Sequence, residues 1–269
     1  MKNKLVILAF ALLFLLAACS GQHSIARRFV KQNRNTVVAL YLPERLDKRN
    51  LRNDSIPEYL ADSSLKTKIA YLEKQVKVID KVDDDKLLDI IYLSMKETLK
   101  DYGLSVEYWE DSVARPDSTH WVIDIPRIEV TEVCEKQQFY ARDSYYNLYS
   151  RDIPVNLVNV ATWFSISNDT TATMTFTEQN YLDDIDYVVE SQADKVYSKT
   201  YCDTISIDGF YRFAKILGKL YAGYCYDFLM NKYIDNHKVE PIDKINRYRY
   251  DPYERYFYKT DRDYLIEMK

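Results

Sequence analysis

Glycine occurs only five times in 269 residues and proline seven times, so the backbone has few places to take a positive φ or to break a hydrogen-bond ladder. A chain so short of turn residues must fold into long regular elements. Tyrosine is abundant in its place, at 25 residues, which supplies rings with an apolar body and a polar tip.

The spacing of apolar residues predicts two long helices. Leu87, Ile91, Met95, Leu99 and Tyr102 form a stripe over 86–102, widened by Leu88 and Ile90. Asp83, Asp84 and Asp85 precede it as cap and first-turn acids, and Gly103 follows where a left-handed residue ends a helix. The second helix spans 208–236, with Phe210, Phe213, Leu217, Leu220, Tyr224 and Phe228 on one side. Ala214, Gly218 and Ala222 make a small-residue row along it, expected to sit against a sheet, with a dimer seam as the alternative. A weaker helical spacing runs through Leu65, Ile69, Leu72 and Val76.

Strand patterns fill the rest. "TVVALYL" (36–42) is β-branched and ends at Pro43, whereas 44–64 is charged and irregular. "LSVEYW" follows Gly103, and "HWVIDIPRIEVTEV" (120–133) is one long strand bent or interrupted at Pro126. "LVNVATWFSIS" (157–167) and "ATMTFTE" (172–178) alternate strictly and are joined by a hairpin turn at 168–171. The expected fold is therefore α+β, a mostly antiparallel sheet with two long helices packed on one face. Residues 36–236 form a single domain in this reading, and 237–269 a Tyr/Arg-rich arm. In that arm Tyr248, Tyr250, Tyr253, Arg255, Tyr256 and Tyr258 are candidates for partner binding, because tyrosine and arginine recur at interface hot spots. The alternatives are that the segment wraps its own sheet edge or binds a glycan.

The amino terminus reads as an export signal. Lys2 and Lys4 precede an apolar run that is too short for the roughly 20 residues of a membrane-spanning helix. Leu16-Ala17-Ala18-Cys19 at its end resembles the lipobox of bacterial lipoproteins. The resemblance implies cleavage between Ala18 and Cys19, acylation of Cys19, and anchorage by lipid alone. Ser20 is neutral, which in such proteins is compatible with transfer to the outer membrane, the domain facing the periplasm. Residues 19–35 then read as a lipidated cysteine and polar tether. Its positive charges either lie near anionic headgroups or are simply solvated.

Removing Lys2 and Lys4 with the signal leaves 35 basic against 41 acidic residues, a net of −6 that argues against nucleic acid as a partner. Cys134, Cys202 and Cys225 remain, and each sits in apolar or aromatic surroundings that favour burial as a small hydrophobe, with a Cys202–Cys225 bridge as the alternative. His23, His120 and His237 have no partner at metal-ligand spacing, and none of the hydrolase, metalloprotease or phosphate-loop motifs occurs. No cofactor or metal is expected. Asp183, Asp184 and Asp186 lack the glycine and closing glutamate of a calcium loop and read as a solvated turn.

In element order, "TVVALYL", "LLDIIYLSMKETLKDYGLSVEYW" and "HWVIDIPRIEVTEV" resemble a group of small envelope α/β modules. These include the amino-terminal domain of the Tol-Pal translocation protein, the curli-secretion lipoprotein and transport-auxiliary lipoproteins. The lipid anchor, the missing catalytic constellation and the Tyr/Arg arm together point to a non-enzymatic, membrane-anchored accessory protein that binds an envelope partner. The alternatives are a lipid- or glycan-binding lipoprotein and a hydrolase built from unrecognised carboxylates.

Overall fold

The computed structural model describes residues 21–34, 36–51, 63–64, 66–67, 78–107, 120–168, 171–192, 195–237 and 247–268. The predicted helix through Leu65, Ile69, Leu72 and Val76 lies outside these residues, as does Cys19.

Helix α1 covers residues 21–32. Strands β1 (Val37–Tyr41) and β2 (Asp47–Asn50) follow, then a 3-10 turn at Ile79–Lys81. Helix α2 (Asp84–Asp101) leads through Gly103 into β3 (Ser105–Glu107). Next come β4 (His120–Arg142), β5 (Leu148–Ser167) and β6 (Ala172–Leu182), a hairpin of β7 (Asp184–Gln192) and β8 (Lys195–Asp203), and helix α3 (Ile207–His237). The chain ends in β9 (Arg247–Asp251), β10 (Tyr256–Thr260) and β11 (Ile266–Glu267).

The local signals place α2 well. Asp83 accepts a hydrogen bond from the Lys86 amide, and Gly103 takes φ 86° while the Leu104 amide returns to the Leu99 carbonyl. Six strands run in the order β11-β6-β5-β4-β1-β3, and β2 pairs with β4 beside them. The sheet is α+β and sheet-dominated, but mixed rather than mostly antiparallel. β1 is parallel to both β3 and β4, and β2 is parallel to β4. For β1 and β3 the reason is the α2 crossover, which carries the chain back to the same sheet end before β3 begins.

Pro126 marks a bulge in β4, where the register with β5 shifts between Asp124 and Arg127. The shift reverses the alternation, so Ile123 and Ile125 before it and Ile128 and Val130 after it all point into the core. On β5 the buried row is Val158, Val160, Thr162, Phe164 and Ile166. β6 turns the opposite way from a simple apolar-in pattern: Thr175 and Thr177 are buried, while Met174 is 40% exposed and Phe176 leans on Trp163 across the outer face. Pairing fixes this, because Thr175 lies opposite Phe164 and Thr177 opposite Thr162.

Both long helices cover the inner face. Gly218, in the middle of the Ala214-Gly218-Ala222 row, meets α2 rather than the sheet: a Cβ on it would stand 2.6 Å from the Ile91 carbonyl oxygen and 2.7 Å from Ser94 Cβ. From Tyr221 to Asn231 every residue of α3 is buried. The sheet and α2 account for part of that surface, α1 and the carboxy-terminal strands for the remainder. Residues 20–35, expected as a tether, are thus built into the body from Gly21, with Ala26 and Phe29 buried and Phe29 edge-on to Tyr226. The carboxy-terminal segment wraps its own sheet edge, one of the readings open for it: β9 and β10 pair as a hairpin over α3, and β11 adds to the sheet edge at β6.

Beyond Glu132 and Asn156, β4 and β5 leave the core as a two-stranded ribbon ending at Arg142 and Leu148. Ten residues of ribbon extend roughly 33 Å. The β7–β8 hairpin braces it, burying Ile153, Val155 and Val189 in a small cluster separate from the main core. The root of this arm is polar. Buried Glu132 accepts from the amides of Val78 and Ile79 (3.3 and 2.9 Å) and from Asn156 Nδ2 (2.8 Å). Asp183 accepts from the amides of Asn156 and Ile205. Asp183 is thus a buried connector and not the solvated turn that its acidic neighbours suggest.

Gly218→Ala should destabilise the protein by about 1–3 kcal/mol, since overpacking against the α2 backbone outweighs the roughly 1 kcal/mol gain in helix propensity. Gly21→Ala, with nothing within 4 Å of the added carbon, should not. Denaturant midpoints of the two variants check this.

Candidate functional site

The tyrosine-rich carboxy terminus forms one wall of a cleft of about 490 Å³, and Thr98 of α2 and Tyr102, which caps that helix, form the other. This size lies in the range of small-molecule sites. The hairpin contributes Arg249, Tyr250 and Asp251 from β9, Tyr253 from the turn, and Tyr258 and Thr260 from β10, with Tyr264 closing the floor.

Alternation sorts the hairpin into two faces. Tyr248, Tyr250 and Phe257 turn towards α3 and α1. Tyr248 is 2% exposed, Tyr250 packs on Phe257 at 4.8 Å, and His23 of α1 meets Phe257 edge-on at 5.1 Å. On the other face Arg249 lies over the Tyr264 ring at 4.4 Å, and Tyr264 stacks on Tyr224 at 4.8 Å. Of the six residues singled out in the sequence, the cleft therefore gathers Tyr250, Tyr253 and Tyr258. Tyr248 is a core residue. Arg255, at φ 51°, and Tyr256 are exposed outside the cleft lining.

What docks the hairpin is a pair of polar side chains on α3. Asn231 accepts from the Tyr248 amide at 2.9 Å and donates to the Tyr248 carbonyl at 3.1 Å, so its amide group stands in for a neighbouring strand. Asp227 accepts from the Tyr250 amide at 3.0 Å and faces Arg249 Nε at 3.5 Å. Burial is the main influence on Asp227 and pushes its carboxyl up to about 7, against the opposing pull of the Tyr250 amide and Arg249. Asp263, which accepts from Asn231 Nδ2, is also raised by burial. Tyr102 is raised too, first by burial and then by the Asp227 charge.

A second aromatic surface, which sequence reading passed over, lies at the tip of the arm. Tyr145 is 67% exposed and Tyr146 80%, with Tyr140 and Leu148 beside them. Asp143 organises the turn: it accepts from the amides of Tyr145 and Asn147 at 2.9 Å each, and from Ser191 Oγ at 2.6 Å. These bonds, the one from Ser191 foremost, hold its carboxyl down at about 2. Tyr146 sits at φ 66°, a left-handed conformation that disfavours bulky side chains. The sequence "RDSYYNLY" carried the signal, as an Asp-to-Asn turn flanked by tyrosines, and its polar composition hid it.

Among the described residues no group of three or more His, Cys, Asp or Glu is placed to hold a metal ion, and no helix is long and apolar enough to cross a membrane. Cys134 and Cys202 are exposed, against the expected burial, because they lie on the ribbon and on β8 away from the main core. Cys225 is buried in α3, and no disulfide joins it to Cys202. No family model matches this sequence, and no curated protein is similar to it. Among solved structures it is similar to a neuraminyllactose-binding hemagglutinin homolog from Helicobacter pylori, at TM-score 0.34 and 9% identity, covering 76% of this chain and 90% of that one. A likeness of that size leaves the function to be argued from the residues above.

The Asp227 shift has a definite sign. Its folded pKa, about 7, lies above the value near 3.8 of a solvated carboxyl, so this group's contribution is full below about pH 4 and is lost as pH rises through 7. Asp227→Asn keeps the oxygen acceptor for Tyr250 and removes the charge. The variant should be more stable than the native chain at pH 8 and lose that advantage below pH 5, as denaturant midpoints at the two pH values will show.

Proposed function

We propose that this chain is a lipid-anchored, non-enzymatic accessory protein of a bacterial cell envelope, and that it docks a partner protein through the tip of its arm. Anchorage is supported by Lys2, Lys4 and the Leu16-Ala17-Ala18-Cys19 sequence, and an outer-membrane position facing the periplasm by neutral Ser20. The single observation that carries the docking role is the pair of exposed rings of Tyr145 and Tyr146 at the end of the braced ribbon. A ribbon that leaves the core gains little for folding, and this one is stiffened by its own apolar cluster and by the Asp143–Ser191 bond. Large rings held rigidly in water lose little entropy on binding and bury much area, which is why tyrosine is frequent at hot spots. The left-handed Tyr146 fits the same reading, since backbone strain collects where function holds it in place.

The cleft favours a second reading, in which the ligand is a glycan. Its walls offer flat tyrosine faces with hydroxyls at their edges, beside Arg249 and Thr260. A sugar ring presents C–H surfaces to such faces and hydroxyls to such edges. On that reading Tyr258→Ala impairs function while changes at the arm tip do not.

Two outcomes are expected. Cys19→Ala should move the protein from the membrane to the soluble fraction with its fold intact. Tyr146→Gly should leave stability unchanged or raise it by up to about 1 kcal/mol, because glycine accepts the left-handed backbone at little steric cost. At the same time it should weaken site-specific photocrosslinking from position 145 to a single envelope protein. Equal crosslinking from the tip and from Lys199 on β8 would defeat the docking role.

A further inference from the structure

Helix α1 has two unlike sides. Ala26 and Phe29 are buried against α3, and Ile25 and Val30 pack beside them. Arg27, Arg28 and Lys31 stand exposed on the opposite side. No acidic residue occurs anywhere between Ser20 and Pro43, in a mature chain whose net charge is −6. Among the described residues none of these three cations forms an ion pair. Arg28 lies over the ring of Tyr233, at 5.7 Å. Lys259 of β10 adds a further positive charge near the start of the helix, where it and Arg27 act on His23.

Position makes this charge meaningful. Gly21 is already helical, so a lipid on Cys19 is joined to the folded body by at most two residues, about 7 Å of chain at full extension. That is less than the Debye length of about 8 Å at physiological ionic strength, so the start of α1 stays within the field of the surface that holds the lipid, and a helix lying along that surface brings its cations into the same field. We infer that the exposed basic side of α1 is the surface on which the anchored protein rests, with Arg27, Arg28 and Lys31 against the headgroups of an anionic leaflet. This rests on the proposed acylation of Cys19. Each cation near such a surface favours the resting orientation by about fivefold, and three by about a hundredfold. Because His23 ties α1 to Phe257, the same contact sets the carboxy-terminal hairpin at a fixed distance from the bilayer.

The test uses the full-length lipoprotein purified from bacterial membranes, with the mass of its amino-terminal peptide determined first. An unmodified Cys19 would remove the anchor reading itself, before any vesicle is made. The acylated protein is then reconstituted into vesicles of phosphatidylcholine alone or with about one third phosphatidylglycerol. A water-soluble amine-acetylating reagent is applied, and modification of Lys31 and of Lys199 on exposed β8 is followed by peptide mass spectrometry. In anionic vesicles Lys31 should react at least about tenfold more slowly relative to Lys199, with protection lost in neutral vesicles and at about 1 M salt. Arg27→Gln with Arg28→Gln should reduce the protection. Equal reactivity of Lys31 in anionic and neutral vesicles would overturn the inference. So would protection in whole envelopes but not in protein-free vesicles, which would assign the face to a protein.

Discussion

The body of this protein depends on burying α3 on every side. From Tyr221 to Asn231 every residue of the helix is buried, so each element around it must bring a surface that fits. The sheet offers Phe164 and Thr162, which meet Tyr221 through an edge-on ring contact and a 2.8 Å hydroxyl pair. α2 approaches closely enough that only glycine fits at position 218. The remaining quadrant is closed by α1 and the carboxy-terminal hairpin, and there the helix presents Asp227 and Asn231 instead of aliphatic groups. A hairpin edge carries unpaired amides and carbonyls that need partners wherever water is excluded. Two polar side chains from a helix provide them. The buried carboxylate is the unfavourable part of that arrangement, and its raised pKa is the physical trace of it.

The arm follows a different rule. Its apolar cluster of Ile153, Val155 and Val189 is too small to hold a ribbon in one direction, so orientation is set by directional bonds at the root. Glu132 collects two amides from the turn before α2, and Asp183 collects the amide that leads into α3. The side chain and amide of Asn156 link the two. Losing one member would leave the others buried without partners, which costs more than the bond contributes when made. The arm is in this way locked to the two helices rather than to the sheet alone. A surface at its tip is presented from a defined position relative to the body.

What could be read from sequence was what local chemistry decides. Asp83 and Gly103 bound α2 because capping needs only a few neighbouring residues, and Pro126 announced the bulge in β4 for the same reason. The parallel pairing of β1 with β3 and β4 could not be read from β1 alone, since a buried apolar strand looks alike in either direction. β6 misled more subtly. Its apolar set, Met174 and Phe176, faces outward because cross-strand pairing with β5 decides the face, and alternation by itself gives only the period. Helix α1 escaped notice because its buried side is narrow. Ala26 and Phe29 lie among polar and basic residues, and the segment carries too little apolar surface to be recognised without the α3 groove that receives it. The arm was hidden likewise, as most of its residues are polar and, among those of its two strands, only Ile153 and Val155 of β5 are buried in it.

Tyrosine connects these features. A phenylalanine in place of Tyr221 would leave the buried Thr162 hydroxyl without its partner, and one in place of Tyr233 would lose the bond to Gln32 that fastens the end of α1. In both places the residue is chosen for having an apolar body and a single polar end, which suits a helix enclosed by elements of unlike polarity. The same property explains why rings can stand in water at Tyr145 and Tyr146. An exposed phenylalanine would favour indiscriminate association, whereas a tyrosine keeps its hydroxyl hydrated until a matching surface displaces that water. The composition that closes the interior around α3 is therefore also the one that permits an aromatic surface to remain open at the tip of the arm.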